Sequence, residues 1–427
     1  MKSADCVVAG CRQLLTCGGA VPKRKEALHD PGLIEGGWVA SEEGRIVFVG
    51  KESEFRANVR AADDAQWIDA SGMVAMPGFV DSHTHLPFAG NREREFDLRL
   101  QGWTYEELAA KGMGIQTTVR ATRAASREEL RALCLRRLDE MLITGTTTVE
   151  AKSGYGLNVD DELKQLEVLR DLGPLHPVDI IPTFMGAHEI PPEFSYRREE
   201  YINLLIQTLI PEVRRRNLAE FFDVFCEQGV FSLDETAALI RAAKEAGFKV
   251  KVHADEFVTL GGAELAASLG AVSAEHLINI SEEGIKKLAA GRTAAILLPG
   301  VSLFLMLDKR APARRLIDAG AVVALATDFN PGSSHLSSML LVLQLGVFTL
   351  RMSVEEAIGA CTANAAYAID RQDEVGSLEP GKKMDLLLLD ADDYISLAYR
   401  LGGNPIRLVL KNGKAVVKNG RRVDAAR

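Results

Sequence analysis

The chain has 427 residues, 47% of them hydrophobic and 26% charged, with a formal net charge of -9. This composition is typical of a globular protein with one large domain and a smaller one, and its interleaved charges leave no basic stripe for nucleic acid. No continuous apolar stretch approaches the roughly 18 residues of a membrane span, and residues 1–16 lack the apolar core of a signal peptide. We therefore expect a cytoplasmic protein that binds neither membrane nor nucleic acid.

The cysteines are consistent with that compartment. None of them shows CxxC spacing, which favours reduced structural thiols over a disulfide framework or a zinc finger. They are Cys6, Cys11, Cys17, Cys134, Cys226 and Cys361.

The chain begins and ends in short strand-like segments separated by turns. These segments are residues 5–16, 36–50, 65–72, 383–394 and 406–421. Because they flank a middle of different texture, we expect the two ends to meet in one discontinuous domain. The prediction is a small β-sandwich of residues 1–72 and 373–427, with residues 73–372 as the second domain.

In the middle, eight apolar runs stop at polar residues or glycine. They are residues 73–85, 146–156, 178–189, 221–229, 248–256, 271–277, 293–300 and 322–332. Helix-like stretches lie between most of them, such as residues 126–145 and 232–247, with apolar spacing near 3.6 and a closing glycine. Eight strands that alternate with helices predict a (β/α)8 TIM-like barrel.

Five of the eight histidines fall at the ends of these predicted strands, where barrel enzymes place their active sites. They are His83 and His85 after the first strand, His188 after the third, His253 after the fifth and His276 after the sixth. We interpret His29 and His176 as structural residues, whereas the sequence leaves the role of His335 open.

The HxH pair suggests a metal site. Side chains two apart on a strand face the same way, so His83 and His85 should converge on one point. His253 and Asp328, from strands five and eight, would complete a set of three nitrogens and one oxygen with room for water. A bound divalent ion of this kind lowers the pKa of water from 15.7 to roughly 7.

Two further residues have the chemistry of catalytic groups. Glu256 follows His253 by three positions, so its carboxyl group can move a proton between water and a leaving nitrogen without binding the ion. His276 can hydrogen-bond the water or a polarised carbonyl, together with Asp328. We predict Glu256, His276 and Asp328 as the catalytic residues.

These motifs resemble the amidohydrolase superfamily, and the HxxE spacing is similar to its mononuclear members, which include cytosine and guanine deaminases. Longer stretches, spread over about residues 70–370, resemble the imidazolonepropionase family. They are HTHLPFAGNREREFDLRLQG, TTTVEAKSGYGL, PTFMGAHEIPPEF, KVHADEF, SAEHL and ATDFNPGSS. That family implies hydrolysis of the lactam C–N bond of 4-imidazolone-5-propanoate to N-formimidoyl-L-glutamate in histidine degradation, by a homodimer. A His3Asp set accepts zinc and iron alike, so we expect one Zn²⁺ or Fe³⁺ per chain.

The resemblance also implies substrate contacts. The propionate needs a cation, and Arg92 has the fork geometry for a bidentate carboxylate contact. Tyr155 and His188 would hold the same substrate, and Glu256 would protonate its leaving nitrogen. The loop after strand eight would contact the other end through Asn330, Gly332 and Ser333.

Three alternatives stay open. The first is a second metal ion, because Lys152 lies on the second strand, near where dinuclear relatives recruit a carboxylated lysine on another strand. The HxxE spacing, however, belongs to the mononuclear pattern. A deaminase of a purine or pyrimidine base would use the same metal site and release ammonia. An inactive scaffold that has kept the barrel is the third, although such proteins usually lose metal ligands, and all four are present here.

Overall fold

The computed structural model describes residues 1–103, 107 and 111–423. Five strands precede the barrel: β1 Lys2–Leu15, β2 Leu33–Glu42, β3 Arg45–Lys51, β4 Val59–Asp69 and β5 Val74–Pro77. The barrel strands are β6 Phe79–Asp81, β7 Thr146–Lys152, β8 Asp179–Ala187, β9 Phe221–Cys226, β10 Lys249–Ala254, β11 Ser273–His276, β12 Ala294–Leu297 and β13 Val322–Leu325. Four strands follow the barrel: β14 Leu386–Leu389, β15 Ile406–Lys411, β16 Lys414–Lys418 and β17 Arg421–Arg422.

The strands outside the barrel form one mixed sheet. Both chain ends contribute to it, as the sequence predicts. Its order is β17-β16-β15-β14-β5-β1-β2-β3, and β4 pairs with β1. The ends meet where β5 pairs in parallel with β1 and antiparallel with β14. Leu14 on β1 and Leu386 on β14 belong to one buried apolar cluster, so the two ends of the chain also share a core.

The apolar run that predicts the first barrel strand is two strands. Val74–Pro77 belongs to the mixed sheet, and only Phe79–Asp81 enters the barrel. Gly78 makes the switch between sheets, and a Cβ atom there would lie 2.3 Å from Thr147 Oγ1. The prediction of one strand was wrong here, because an apolar run does not show where a chain passes from one sheet to another.

The other seven runs each contain the predicted strand, and all eight barrel strands are parallel in the order β6 to β13. The first and last strands meet just beyond their ends, where Thr84 and Phe329 form a parallel bridge. Asp328 N donates to His83 O at 3.0 Å, and His85 N donates to Phe329 O at 3.0 Å. The predicted TIM-like barrel is confirmed, and its closing contacts run through candidate site residues.

Helices cover the outside of the barrel. Both helices predicted above are present, as Arg127–Ile143 and Leu233–Glu245, and each begins with a capping box, from Ser126 to Glu129 and from Ser232 to Glu235. The other described α-helices are Glu52–Asn58, Glu93–Leu100, Ile115–Ala124, Val159–Leu172, Arg198–Leu204, Ile210–Arg215, Gly262–Ser268, Glu282–Ala290, Pro299–Phe304, Ala313–Ala319, Met339–Leu350, Val354–Cys361, Ala363–Tyr367 and Ser396–Tyr399.

Several residues with reactive side chains lie outside the barrel mouth or are held by packing and hydrogen bonds, as expected of a structural role. All six cysteines are buried and free, and burial raises the pKa of Cys11 to about 12. His176 accepts a hydrogen bond from Val178 N, and His29 lies 3.1 Å from Glu356. His335 packs edge-on against the ring of Phe329.

None of the helices among the described residues has the length and apolarity to cross a bilayer.

Candidate metal centre and substrate pocket

The candidate metal ligands come from the two barrel strands that meet at closure and from one strand opposite. His83 and His85 follow β6, and Asp328 follows β13. The closing hydrogen bonds hold these two segments side by side. His253 lies within β10, and all four side chains are at most 3% exposed.

Two of the site residues have a left-handed backbone conformation, which directs their side chains toward the barrel mouth. His276 has φ of 71° and Asp328 has φ of 50°. Residues other than glycine rarely adopt this conformation, and it tends to concentrate at functional sites. Glu275 pairs in register with His253 and faces the barrel interior as His253 does. Because of its positive φ, the side chain of His276 reaches the same site as that of Glu275 instead of pointing to the opposite face of the strand.

The polar atoms of the predicted ligands converge. Asp328 Oδ1 lies 3.2 Å from His83 Nε2 and 3.3 Å from His85 Nε2. His253 Nε2 lies 3.4 Å from His85 Nε2. Ligand atoms of His83, His85 and His253 all lie within 4.8 Å of one another, as do those of His83, His276 and Asp328. This spacing suits several ligands around a single ion.

The hydrogen bonding of these residues also fits a cation. Among the described residues, neither His83 Nε2 nor Asp328 Oδ1 has a hydrogen-bond partner, and both atoms are buried. The opposite ring nitrogens face carboxylates, with His83 Nδ1 2.5 Å from Glu275 and His253 Nδ1 3.1 Å from Asp223. Carboxylates in this position hold imidazoles with the other nitrogen free for a metal. The residues present therefore fit a metal ion.

A layer of buried charged side chains lies behind the ligands. Lys152 Nζ lies 2.8 Å from Glu150, 2.8 Å from Asp223 and 3.5 Å from Glu275. Lys251 Nζ lies 2.7 Å from the other oxygen of Glu275. All five side chains are fully buried. The layer holds Asp223 and Glu275 in place, and these two carboxylates in turn orient His253 and His83.

Lys152 is therefore occupied by ion pairs. Burial alone would lower its pKa, but Asp223 and Glu150 raise it, which keeps the amine protonated. Carboxylation of a lysine requires a neutral amine, so this environment disfavours the carboxylated lysine of a dinuclear site.

Glu256 lies beside the ligand cluster and outside it. Its Oε1 is 3.5 Å from His276 Nδ1. Burial, with the charges of Asp328 and Glu227, raises the pKa of Glu256 well above its ordinary value. Burial also lowers the pKa of His276 well below its ordinary value, so this imidazole is neutral. The pair combines a carboxyl group whose pKa is raised with a neutral ring that can accept or donate a hydrogen bond.

The position of Glu256 depends on its neighbour Asp255. The Asp255 carboxylate accepts hydrogen bonds from four consecutive backbone amides, those of residues 260–263, at 2.9–3.3 Å. These bonds fold the loop after β10 back onto the strand end. In the motif HADE, the aspartate therefore shapes the loop and the glutamate enters the site.

A cavity of about 550 Å³ opens over the ligands. All the predicted site residues except His83 line it, and His83 lies beneath, with no exposed surface. The predicted lining residues are His85, Arg92, Tyr155, His188, His253, Glu256, His276, Asp328, Asn330, Gly332 and Ser333. The fold thus brings together side chains from residues 83 to 333.

Arg92 lies at the start of the helix Glu93–Leu100. Its Nε and Nη2 lie 2.7 Å and 2.6 Å from the same oxygen of Glu95, a residue 4% exposed. Arg92 Nη1 lies over Gly332, where an added Cβ atom would be only 2.0 Å away. Glycine at position 332 therefore allows the guanidinium group to lie against the loop after strand eight.

Tyr155 and His188 form another wall of the cavity. The ring of His188 stacks on that of His85 at 5.0 Å, and Tyr155 lies 5.3 Å from His188. His188 Nδ1 donates to Gly154 O at 2.9 Å, and burial lowers the pKa of this histidine well below its ordinary value. A neutral His188 bonded in this way directs its other ring nitrogen away from the backbone.

Asn330 forms its hydrogen bonds within its own loop. Its Nδ2 donates to Asp328 O at 2.7 Å and to Ser333 Oγ at 2.8 Å, and its Oδ1 accepts from Gly332 N and Ser333 N at 2.8 Å. These bonds use both donors and the acceptor of the amide. In this structure Asn330 shapes the loop that presents Gly332 and Ser333.

The sequence analysis missed the supporting carboxylates and lysines. Charged residues two apart in otherwise apolar strands were the available signal, as in Glu150 with Lys152 and Lys251 with His253. That spacing places both side chains on the same face of a strand, here the interior of the barrel. Glu162 was missed as well; it accepts backbone hydrogen bonds from the SGYG loop at 2.8–3.1 Å.

Fold and site together define a barrel hydrolase with metal-binding side chains at the C-terminal ends of its strands. The model of the amidohydrolase family matches residues 74–416. The chain belongs to the amidohydrolase family.

Similar proteins agree with this assignment. The imidazolonepropionase of Geobacillus kaustophilus (strain HTA426) is 50% identical over 417 residues, which cover 97% of this chain and 98% of that protein. The imidazolonepropionase of Symbiobacterium thermophilum is 49% identical, and 99% of each chain is covered. These matches cover nearly the whole chain, whereas the stretches that the sequence analysis compared lie within about residues 70–370.

Solved structures support the fold. A zinc-bound adenosine deaminase from Xanthomonas campestris has a TM-score of 0.71 at 19% identity, with 99% of this chain and 95% of that chain covered. A triazine hydrolase variant has a TM-score of 0.75 at 18% identity, with 98% and 96% covered. At these identities the likeness concerns the fold alone, so the adenosine deaminase match does not favour the deaminase alternative.

Proposed function

We propose that the chain hydrolyses the lactam C–N bond of 4-imidazolone-5-propanoate and yields N-formimidoyl-L-glutamate, as a step of histidine degradation. The observation that carries the proposal is the joint presence of a buried metal-binding set, an adjacent glutamate whose pKa is raised by burial, and an arginine in one cavity. The matched imidazolonepropionases, about half identical over nearly the whole chain, support the choice of substrate.

We propose His83, His85, His253 and Asp328 as the ligands of one zinc or iron ion. When bound, the ion would supply an activated water at neutral pH and polarise the lactam carbonyl. A single ion is supported by Lys152, whose amine is held by Glu150 and Asp223.

The proton transfers are assigned to Glu256 and its neighbour His276. Glu256 takes the proton that the attacking water loses and delivers it to the ring nitrogen as the C–N bond breaks. Its raised pKa suits the delivery step, because the protonated acid is then the stable form in the closed site. His276 lies within 3.5 Å of Glu256 and hydrogen-bonds the carbonyl oxygen as negative charge develops there, with Asp328 opposite.

Substrate binding is assigned to the cavity wall. Arg92 contacts the propionate, Tyr155 and His188 hold the ring, and Gly332 and Ser333 contact the other end. The hydrogen bonds of Asn330 within the loop support a role in presenting these last two residues. Neutral ring-holding groups suit a neutral imidazolone, since an unpaired charge against the ring would have to be desolvated.

Other parts of the proposal rest on the family likeness and on composition. We propose a homodimer in the cytoplasm, which acts on a small molecule without nucleic acid or membrane. We keep the division of the chain into residues 1–72 with 373–427 and residues 73–372 as a proposal; β5, Val74–Pro77, lies in the mixed sheet just past the first limit. Sedimentation analysis of the purified protein tests the dimer.

The test of the function is product analysis with the purified, metal-analysed protein. Loss of imidazolone absorbance with formation of N-formimidoyl-L-glutamate supports the proposal, and chelation should abolish it until zinc or iron is restored. Ammonia release from a panel of purines and pyrimidines, without lactam opening, would replace it with the deaminase alternative. Inactivity of the metal-loaded protein on all of these substrates would favour the scaffold alternative.

A further inference from the structure

The positive charge available for a substrate carboxylate is not that of Arg92 alone. Arg92 is already paired with Glu95, and two of its nitrogens face one carboxylate oxygen. The other Glu95 oxygen accepts from Gly114 N at 3.0 Å. The pair is nearly neutral as seen from the cavity, so a carboxylate that approaches Arg92 also approaches the negative charge of Glu95.

Arg99 lies on the same face of the helix Glu93–Leu100 and lines the same cavity. Its Nη2 donates to Gly332 O at 3.2 Å, which places it against the same loop as Arg92. Its guanidinium lies 5.4 Å from the ring centre of Phe304. These contacts hold the head group at the cavity wall instead of in solvent.

Among the residues that the structure describes, no carboxylate lies within ion-pair distance of Arg99, and its Nε is buried without a hydrogen-bond partner. Burial and the neighbouring charge of Arg92 lower the pKa of Arg99, and the charge of Glu95 offsets part of this effect. A buried donor without a partner beside a like charge costs free energy that a bound anion would recover.

We propose that Arg99 is a further specificity-determining residue, which supplies the net positive charge that selects substrates with a carboxylate. The inference rests on the proposed function, since it concerns the propionate of that substrate. Arg92 and Glu95 form a neutral pair that orients one donor, and Arg99 adds a second cation that has no ion-pair partner and no hydrogen bond at Nε within the described part of the chain. The three groups together carry one net positive charge, equal and opposite to that of one carboxylate.

The test measures binding to the metal-loaded protein by calorimetry with two probes, imidazole-4-propanoate and its neutral amide, imidazole-4-propanamide. In Arg99→Gln the Kd of the propanoate should rise about 10- to 100-fold, the range for a charge-assisted hydrogen bond, while that of the amide changes little. Arg99→Lys should restore part of the difference. Arg94→Gln is the matched control, because Arg94 is an exposed arginine on the same helix that pairs with Asp97.

Equal losses for both probes in Arg99→Gln, or no loss for either, would overturn the proposal. If Arg99→Gln fails to fold, Arg99→Met keeps the aliphatic stem against Phe304 and gives the same readout. Turnover of 4-imidazolone-5-propanoate by the wild type tests the proposed function separately. Normal turnover with unchanged probe selectivity in Arg99→Gln would overturn only the role of Arg99, whereas selective probe binding without lactam opening would overturn the proposed function.

Discussion

Replacing Glu256 with glutamine separates the contribution of this carboxyl group to catalysis from its effect on stability. Glu256 is 5% exposed, and it is not among the clustered potential ligands in the described residues. Glutamine keeps the shape of the side chain without a transferable proton. We expect kcat to fall roughly 10²- to 10⁴-fold, the usual effect of losing an acid–base group, with the ion content unchanged.

The same substitution should leave the metal-free protein as stable as the wild type or more stable at neutral pH. Burial raises the pKa of Glu256, so the unfolded chain loses this proton at a lower pH than the folded chain. Stability therefore falls as pH rises from the unfolded value toward the folded one, by about 1.4 kcal/mol for each unit of pKa difference. Glutamine removes this penalty, and the advantage of the variant should shrink as pH falls toward 4.5, the ordinary value.

Three measurements decide the outcome: turnover from substrate absorbance, ion content by mass spectrometry, and the Tm of the metal-free protein at pH 5 and pH 8. Glu189→Gln is a matched control, because burial also raises the pKa of Glu189 and this residue lines the same cavity. Wild-type turnover in Glu256→Gln would refute the proton-transfer role. Loss of the ion would make Glu256 a ligand, and a lower Tm at pH 8 would show that its ionised form stabilises the fold.

Two other predictions concern charge at the cavity wall and behind the barrel. Arg92→Ala should lower kcat/KM because transition-state binding weakens by about 2 to 5 kcal/mol, the range for truncating one member of a buried charge pair. Arg92→Lys should recover part of this loss. An equal loss with an imidazolone that lacks the propionate would contradict a carboxylate contact. Burial lowers the pKa of His176 to about 4, so the folded protein keeps this side chain neutral. The wild type should therefore lose up to about 3 kcal/mol of its free energy of unfolding as pH falls from 6.5 to 4. In urea unfolding, the stability advantage of the wild type over His176→Gln should narrow over that range.

The sequence was most informative where one rule of geometry applies. Side chains at the carboxyl ends of parallel strands meet at one mouth of a barrel. The eight apolar runs were therefore enough to predict that His83, His253 and Asp328 lie close together. The structure places Asp328 Oδ1 3.2 Å from His83 Nε2, and a ligand atom of His253 within 4.8 Å of one of His83. This inference did not need the exact strand limits, which explains why it succeeded although the first run contains two strands.

Other features depend on facts that periodicity does not carry. Whether Glu275 faces the interior follows from its register with His253, and the reach of the next residue follows from a positive φ at His276. The pairing of Arg92 with Glu95 depends on the rotation of a helix relative to the barrel. Asn330 was predicted as a substrate contact, and its hydrogen bonds within its own loop are visible only in three dimensions.

The charged layer behind the ligands allows a prediction from its balance of charge. Glu150, Asp223 and Glu275 contribute three negative charges, and Lys152 and Lys251 contribute two positive ones. The layer therefore carries one net negative charge, which adds to that of Asp328. A bound cation would offset this negative charge.

Removing Lys152 should upset this balance more than any other single change in the layer. Lys152→Met leaves Glu150 and Asp223 without their cation in a site with no exposed surface, which should cost about 3 to 5 kcal/mol, a large share of the 5 to 15 kcal/mol of a typical domain. The double variant Lys152→Met/Glu150→Gln removes one charge of each sign, and its amide oxygen can still accept from Thr84 N. It should therefore recover much of the loss in urea unfolding of the metal-free protein. If the single variant is as stable as the wild type, the carboxylates take up protons when their cation is removed, and the layer does not depend on Lys152 for its charge.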